Sequence, residues 1–304
     1  MVRFFELLQL AKEKDVSSEV TTSVKKELGC IDKLEIYFQV PIKRSEVEEV
    51  TSGISKITRL RDKRWYLEIG KDTGTYLYLG HPDNTDLVKL ITKPSTFHNV
   101  NQYKSYLYKY FGVDRIENAR ISRMDLTVDY LEPWSKVVRG LSIEHKRKRV
   151  QYLEHSGQRT GIQAGSGSQV IVVYDKRAES KLDHDITRIE LQLKGKELPI
   201  RTFKDLSQLP DRLKNSNLFS GIILNEISIT ELRGDNPLRL KRLGELTALL
   251  EHEGYFIARK KLNSSNNFNR DYAPLLNIRM WDRQPQEVIE KFVYDYFKEE
   301  YLWN

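Results

Sequence analysis

The sequence predicts an α+β fold: an antiparallel-rich central sheet with a candidate active site on one face and helices on the other, plus a C-terminal helical segment. Three observations predict it. Residues 169–175, QVIVVYD, form an almost continuous run of branched apolar residues, typical of a strand covered on both faces. Residues 186–194 alternate, with Arg188, Glu190, Gln192 and Lys194 on one side and Thr187, Ile189, Leu191 and Leu193 on the other. From Asn236 onward helical periodicity dominates, in RLKRLGELTALLEHEGY and again in QPQEVIEKFVYDYFKEEYLW.

Composition narrows the class. The 304 residues suffice for one large domain or two modest ones, and 39% hydrophobic with 31% charged residues suits a globular chain rather than a disordered one. No apolar run approaches the roughly 20 residues of a membrane span. MVRFFELLQLAKEKD carries acids within its apolar patch and does not read as a secretory signal. A single cysteine, Cys30, excludes an internal disulfide framework and a thiolate zinc cluster. A cytoplasmic address without membrane association is expected, and the net charge of +7 favours a polyanionic partner.

In chain order, residues 4–13 and 18–28 have helical periodicity with Gly29 as a stop signal, so residues 1–30 are expected as a short helical segment. Strand character starts at Lys33 in KLEIYFQV. Ser45 and Glu48 have capping-box spacing. RWYLEIG and TYLYLG, separated by KDTG, read as a hairpin. VNQYKSYLYKYF, 100–111, reads as an amphipathic helix stopped by Gly112. Glu132 to Ser142 is a short helix or loop, followed by the basic run 144–149. QYLEH and RTGIQAG complete a meander into the 169–175 strand, and GIILNEISITEL supplies one further strand. A main domain over 31–235 and a helical segment over 236–304 follow from the change in composition.

The chemistry-bearing residues sit on three of these strands. In RISRMDLTVDY, Arg123, Asp125, Thr127 and Asp129 share one face. Two acids on one strand face repel each other unless cations offset them. Their Cα atoms lie roughly 13 Å apart, too far for one ion to take both directly. Carboxylates on adjacent strands can hold Mg2+ or Mn2+, so Asp125, Glu190 and, with less reason, Asp129 are candidate metal residues. Tyr174 ends its strand with Lys176 two residues on, and a tyrosine oxygen there could attack phosphorus if a cation helped ionise it. Against this stands the commoner use of such a tyrosine as a core residue with its hydroxyl at the rim, and of an alternating polar face as the solvent side of a sheet.

RMDLTVDY, VVYDKRAE and RIELQLKGKEL together resemble the rolling-circle replication initiators of small plasmids of the Rep_trans type. RIELQLKGKEL is also similar to filamentous-phage gene II/X replication proteins. The resemblance covers residues from about 30 to 230. It implies a metal-dependent, site-specific single-strand DNA endonuclease and strand transferase with a covalent phosphotyrosine intermediate. Tyr174 would be the nucleophile, Asp125 and Glu190 acidic metal positions with Asp129 less certain, Lys176 and Glu179 the flanking lysine and acid, and Arg188 a phosphate contact or a positioner of Glu190. It implies origin DNA as hairpin or single strand, and leaves room for a helicase partner and a homodimer. Related relaxases of conjugative elements share the pattern, so transfer of DNA is an alternative. So is a non-catalytic sequence-specific DNA-binding regulator, and an RNA-binding protein is a third class. The sequence lacks a His-hydrophobe-His motif, since its six histidines are scattered, and no GxxxxGK[ST] phosphate loop occurs.

Tyr103, Tyr106 and Tyr110 make a stripe on the 100–111 helix that could carry a nicking tyrosine but reads better as a packing face, as do Tyr294, Tyr296 and Tyr301. Arg239, Lys241, Arg242, Arg259, Lys260 and Lys261, with the 144–149 run, are candidate phosphate contacts.

Overall fold

A computed structural model describes residues 27–39, 57–59, 65–70, 73–81, 84–144, 150–155, 157–219, 221–230, 236–263 and 268–298. The helices expected over 4–13 and most of 18–28, the Ser45 capping box, residues 145–149 of the basic run and Tyr301 lie outside them. The strands are β1 (Glu27–Gln39), β2 (Ile57–Arg59), β3 (Trp65–Gly70), β4 (Thr75–His81), β5 (Asn84–Thr92), β6 (Arg120–Tyr130), β7 (Leu141–Ile143), β8 (Val150–His155), β9 (Gln158–Ser166), β10 (Gln169–Asp175), β11 (Thr187–Lys194), β12 (Ile222–Ile229) and β13 (Leu276–Met280). The fold is α+β, as expected. Ten strands form one antiparallel sheet in the order β2-β3-β4-β5-β1-β6-β11-β10-β9-β8, and β13-β12-β7 form a second, smaller one.

Alternation explains the sheet's two faces. Leu34, Ile36, Met124, Leu126, Val128, Ile189, Leu191, Leu193, Ile171 and Val173 are buried together beneath it. Helix Val100–Phe111 covers that face with Tyr103, Leu107 and Phe111, and Asn99 caps its first turn through Gln102 N. Tyr103 is fully buried with its hydroxyl on Thr92, so the tyrosine stripe is a packing face. Tyr296 likewise donates to the Pro94 carbonyl, while Tyr294 is exposed.

Two expectations need correction. Residues 27–30 are not the end of a helix but the start of β1, because Glu27 to Ile31 pair in register with Tyr130 to Leu126 and strand pairing overrides local helical periodicity. Gly29 stops no helix; it lets helix Pro285–Phe297 approach, since a Cβ there would stand 2.9 Å from Phe292 Cβ. The 236–304 stretch is not wholly helical, for β13 pairs with β12. Its last helix buries Ile289, Val293, Tyr296 and Phe297 in the main core. Helix Pro237–Asn263 instead builds a satellite core with Phe268, Tyr272 and Leu275, and bends at Gly254, whose φ of 77° and contact with the Val138 carbonyl leave no room for a side chain. No helix among the described residues is long and apolar enough to cross a membrane.

Candidate active site

The face of the sheet opposite helix Val100–Phe111 carries a ladder of charged residues whose rungs are set by strand register. Asp129 on β6 faces Arg188 on β11, which faces Tyr174 on β10, which faces Gly161 on β9. One rung along, Cys30 on β1, Thr127 and Glu190 align, and beyond them Lys33, Asp125 and Gln192, then Glu35, Arg123 and Lys194. The strands thus bring together Tyr174, Arg188, Asp129, Glu190 and Asp125. A bulge in β1 between Ile31 and Lys33 adds to the set. It turns Asp32 as well as Lys33 toward the acids and arginines, where Asp32 lies 3.4 Å from Arg188 Nη1 and Lys33 lies 3.8 Å from Asp125.

Two arginine forks dominate the electrostatics. Arg188 donates from Nε and Nη2 to the two Asp129 oxygens at 2.6 and 2.7 Å. Arg123 does the same to Asp125 at 2.7 Å on both arms. These are bidentate, charge-assisted bonds at buried positions, Asp125 being 1% exposed. Burial alone would lower the Arg188 guanidinium, yet the Asp129 bonds and the charge of Asp32 hold it above its ordinary value. Burial lifts the Asp125 carboxyl above the usual range against the pull of Arg123. Burial also lifts Glu190, and the charge of Asp125 adds to the lift while Gln192 opposes it. Cys30 is pushed up to about 12 by burial and bonds Thr127 at 2.7 Å, so it is a thiol and not a nucleophile.

Glu190 therefore weakens the fold when ionised. A carboxyl whose folded pKa is raised contributes stability below its unfolded value of about 4.3 and loses that contribution as pH rises through the folded value. Glu190→Gln is expected to raise the urea midpoint at pH 7, with the gain vanishing near pH 4.

Tyr174 is half-buried, and burial raises its phenol against the pull of Arg188. Its ring lies 5.7 Å from Lys176 Nζ. Among the described residues its hydroxyl has no hydrogen-bond partner, whereas the Tyr103, Tyr152, Tyr272 and Tyr296 hydroxyls are held by Thr92, Glu253, Glu245 and Pro94. Lys176 is not on the strand, as its spacing from Tyr174 had indicated, but opens a short helix, Lys176–Ser180. The Asp175 side chain caps that helix through Ala178 N at 3.0 Å. The turn carries the ammonium back over the tyrosine ring and into an ion pair with Glu179.

Gly161 makes room for this tyrosine. A Cβ on it would stand 2.8 Å from Tyr174 Cβ and 2.9 Å from the Val173 carbonyl. Gly161→Val is expected to cost about 1–3 kcal/mol by overpacking, read in a urea titration, and to displace Tyr174.

The divalent-cation expectation meets a difficulty in these residues. Both oxygens of Asp125 and both of Asp129 are occupied by guanidinium arms, and Arg123 also lies 3.9 Å from Glu190. Among the described residues no group of three or more His, Cys, Asp or Glu is placed to hold a metal ion. As placed, the donors do not fit Mg2+ or Mn2+, because arginines stand where the cation's charge would be. Sequence reasoning missed Asp32, Lys33 and Gly161 and gave Arg123 no role. A glycine across from a strand-end tyrosine was the one signal available, and it needed the β9–β10 register. Arg239, Lys241, Arg259, Lys260 and Lys261 are exposed, while Arg242 pairs with Asp271 at 3.2 Å.

No known family matches this sequence, and no curated protein matches it. Among solved structures, a rolling circle replication initiator protein from Geobacillus stearothermophilus is similar over 69% of this chain and 90% of its own, at 14% identity and a TM-score of 0.38. A likeness of that strength carries no argument about fold or activity.

Proposed function

We propose that this protein is a DNA nicking and strand-transfer enzyme of the kind that initiates rolling-circle replication, with Tyr174 as its nucleophile. The observation that carries the proposal is the placement of Tyr174: half-buried, with a hydroxyl held by no other side chain among the described residues, at the end of β10 beside Arg188 and Lys176. The motifs quoted above point the same way.

The reaction follows from that placement. The Tyr174 oxygen attacks a backbone phosphorus, the bond from phosphorus to the 3′ oxygen breaks, and the DNA keeps a 5′ phosphate esterified to the tyrosine. The phenolic proton needs an acceptor, and Glu190, diagonal to Tyr174 in the ladder with its carboxyl raised, is suited to take it and return it to the leaving 3′ oxygen. Arg188 and Lys176 offset charge on the phosphoryl oxygens. Attack of a 3′-hydroxyl on the phosphotyrosine then rejoins the strand and restores the phenol.

One observation favours a non-catalytic DNA-binding regulator instead: the ladder's arginine forks already neutralise Asp125 and Asp129, as in a purely structural network. A denaturing-gel assay separates the two. Supercoiled and single-stranded DNA carrying candidate origins would be incubated with manganese, magnesium or a chelator. A covalent adduct whose DNA-bearing peptide maps to Tyr174 supports the enzyme. Mapping to another tyrosine sinks the assignment, and an adduct confined to the metal lanes would mean that Arg123 yields Asp125 and Glu190 to the ion. DNA binding without any adduct on cognate DNA selects the regulator.

A further inference from the structure

We infer that Tyr37, Tyr78 and Lys89, on the same sheet face as Tyr174 but at its other end, form a stacking platform for the single-stranded DNA that runs on from the cleavage point. This rests on the proposed nicking activity and adds where the unpaired strand lies. Lys89 on β5 faces Tyr37 on β1 and Tyr78 on β4 directly across the ladder. Its Nζ lies 5.9 Å from the Tyr37 ring centroid and 5.7 Å from that of Tyr78. Glu35 holds the ammonium between the rings at 2.6 Å. Both rings are half-buried, so their bodies are fixed by packing while part of each remains open.

The platform is continuous with the site. Glu35 pairs in register with Arg123, whose fork holds Asp125, and Tyr37 lies two residues farther along β1 on the same side. Lys33, Arg123 and the exposed Lys194 line the face between the two ends. On β6 the Asp129 rung and the rung opposite Tyr37, at Arg120, are nine residues apart, a span of roughly 30 Å. A single strand of several nucleotides can cover that length, within the sizes typical of sheet-borne single-strand sites.

Charge alone does not explain why a strand would follow this face. Asp32, Glu35, Asp125, Asp129 and Glu190 neutralise most of its cations. Stacking on the rings must then supply the affinity at the far end, and it is tolerant of sequence because every base has a π-face. Cross-strand Tyr–Lys pairs also stabilise sheets, so binding and stability have to be read separately.

The test uses the full chain carrying Tyr174→Phe, which blocks cleavage, and fluorescence anisotropy of a labelled oligothymidylate. Tyr37→Leu with Tyr78→Leu is expected to weaken binding on the order of tenfold or more, with binding of a duplex of equal length unchanged. Tyr37→Phe with Tyr78→Phe keeps the rings and is expected to keep the affinity. Unchanged affinity in the Leu pair, equal loss for duplex and single strand, or tighter binding of oligouridylate would each overturn the platform. If the Leu pair fails to fold, Tyr78→Leu alone is expected to lose several-fold, and no loss overturns the inference. The nicking reading is scored apart from this, by the adduct in the parent chain: an adduct with unaltered Leu-pair binding removes the platform only, and ring-dependent binding without an adduct removes the nicking reading only.

Discussion

Tyr174→Phe is expected to abolish the covalent adduct altogether while shifting the urea midpoint little. Loss of the nucleophilic oxygen leaves nothing to form the ester, so the effect on adduct yield is all or none rather than a fold-change. The fold should hardly notice, because among the described residues the Tyr174 hydroxyl bonds no other group and the half-buried ring is retained. A stability loss above about 1 kcal/mol would show that the hydroxyl is bound after all. The alkaline limb gives an independent check. Burial raises this phenol, so its contribution to stability is intact below the unfolded value of about 10 and is lost as pH rises through the folded value. Removing it should flatten the fall in stability above about pH 10 only in part, since buried Tyr103 and Tyr296 are raised in the same way.

The parts of the site visible in the sequence are those that lie along one strand. Period-two alternation placed Asp125 with Asp129 on one face of 120–130 and Arg188 with Glu190 on one face of 187–194, and the β6–β11 register brings the two pairs onto the same face of the sheet. What alternation along a strand does not contain is the register between strands. Arg188 and Asp129 are 59 residues apart, and only the β6–β11 pairing shows that each is the other's partner. The same gap hid Gly161 behind Tyr174. The start of β1 was masked by a different effect: helical periodicity over 18–28 is a local property, while strand pairing with β6 is not. The bulge at Asp32 compounds this, because one extra residue breaks the alternation by which Asp32 and Lys33 would have been assigned to a face. β13 escaped notice because it is only five residues long: Leu276, Ile278 and Met280 do alternate with Asn277 and Arg279, but so short a run between two helical stretches does not stand out, and most of it is exposed.

Arg188→Met is expected to destabilise the protein by about 3–5 kcal/mol, the largest stability effect at this site. The guanidinium is 11% exposed and Asp129 is 13% exposed, so its removal strands a charge that water reaches poorly. Asp32, 3.4 Å from the same guanidinium, loses one of its two counter-charges and keeps Lys93 at 3.7 Å. The cost is that of an uncompensated buried acid rather than the net worth of the pair, and a second substitution distinguishes the two. Arg188→Met combined with Asp129→Leu removes both charges at similar volume, and it should recover most of the loss in a urea titration, because apolar replacements of buried ion pairs are often neutral. Asp129→Asn alone should cost less than Arg188→Met, since the amide oxygen still accepts from one arm of the fork and Asp32 still answers the guanidinium charge. A double variant no better than Arg188→Met would mean that the destabilisation comes from lost packing over Tyr174 and not from the acid. Adduct formation is expected to stay abolished in the recovered double variant, because offsetting phosphoryl charge beside Tyr174 requires the cation itself. Stability restored without activity would thereby separate what the fork does for the sheet from what Arg188 does for the phosphate.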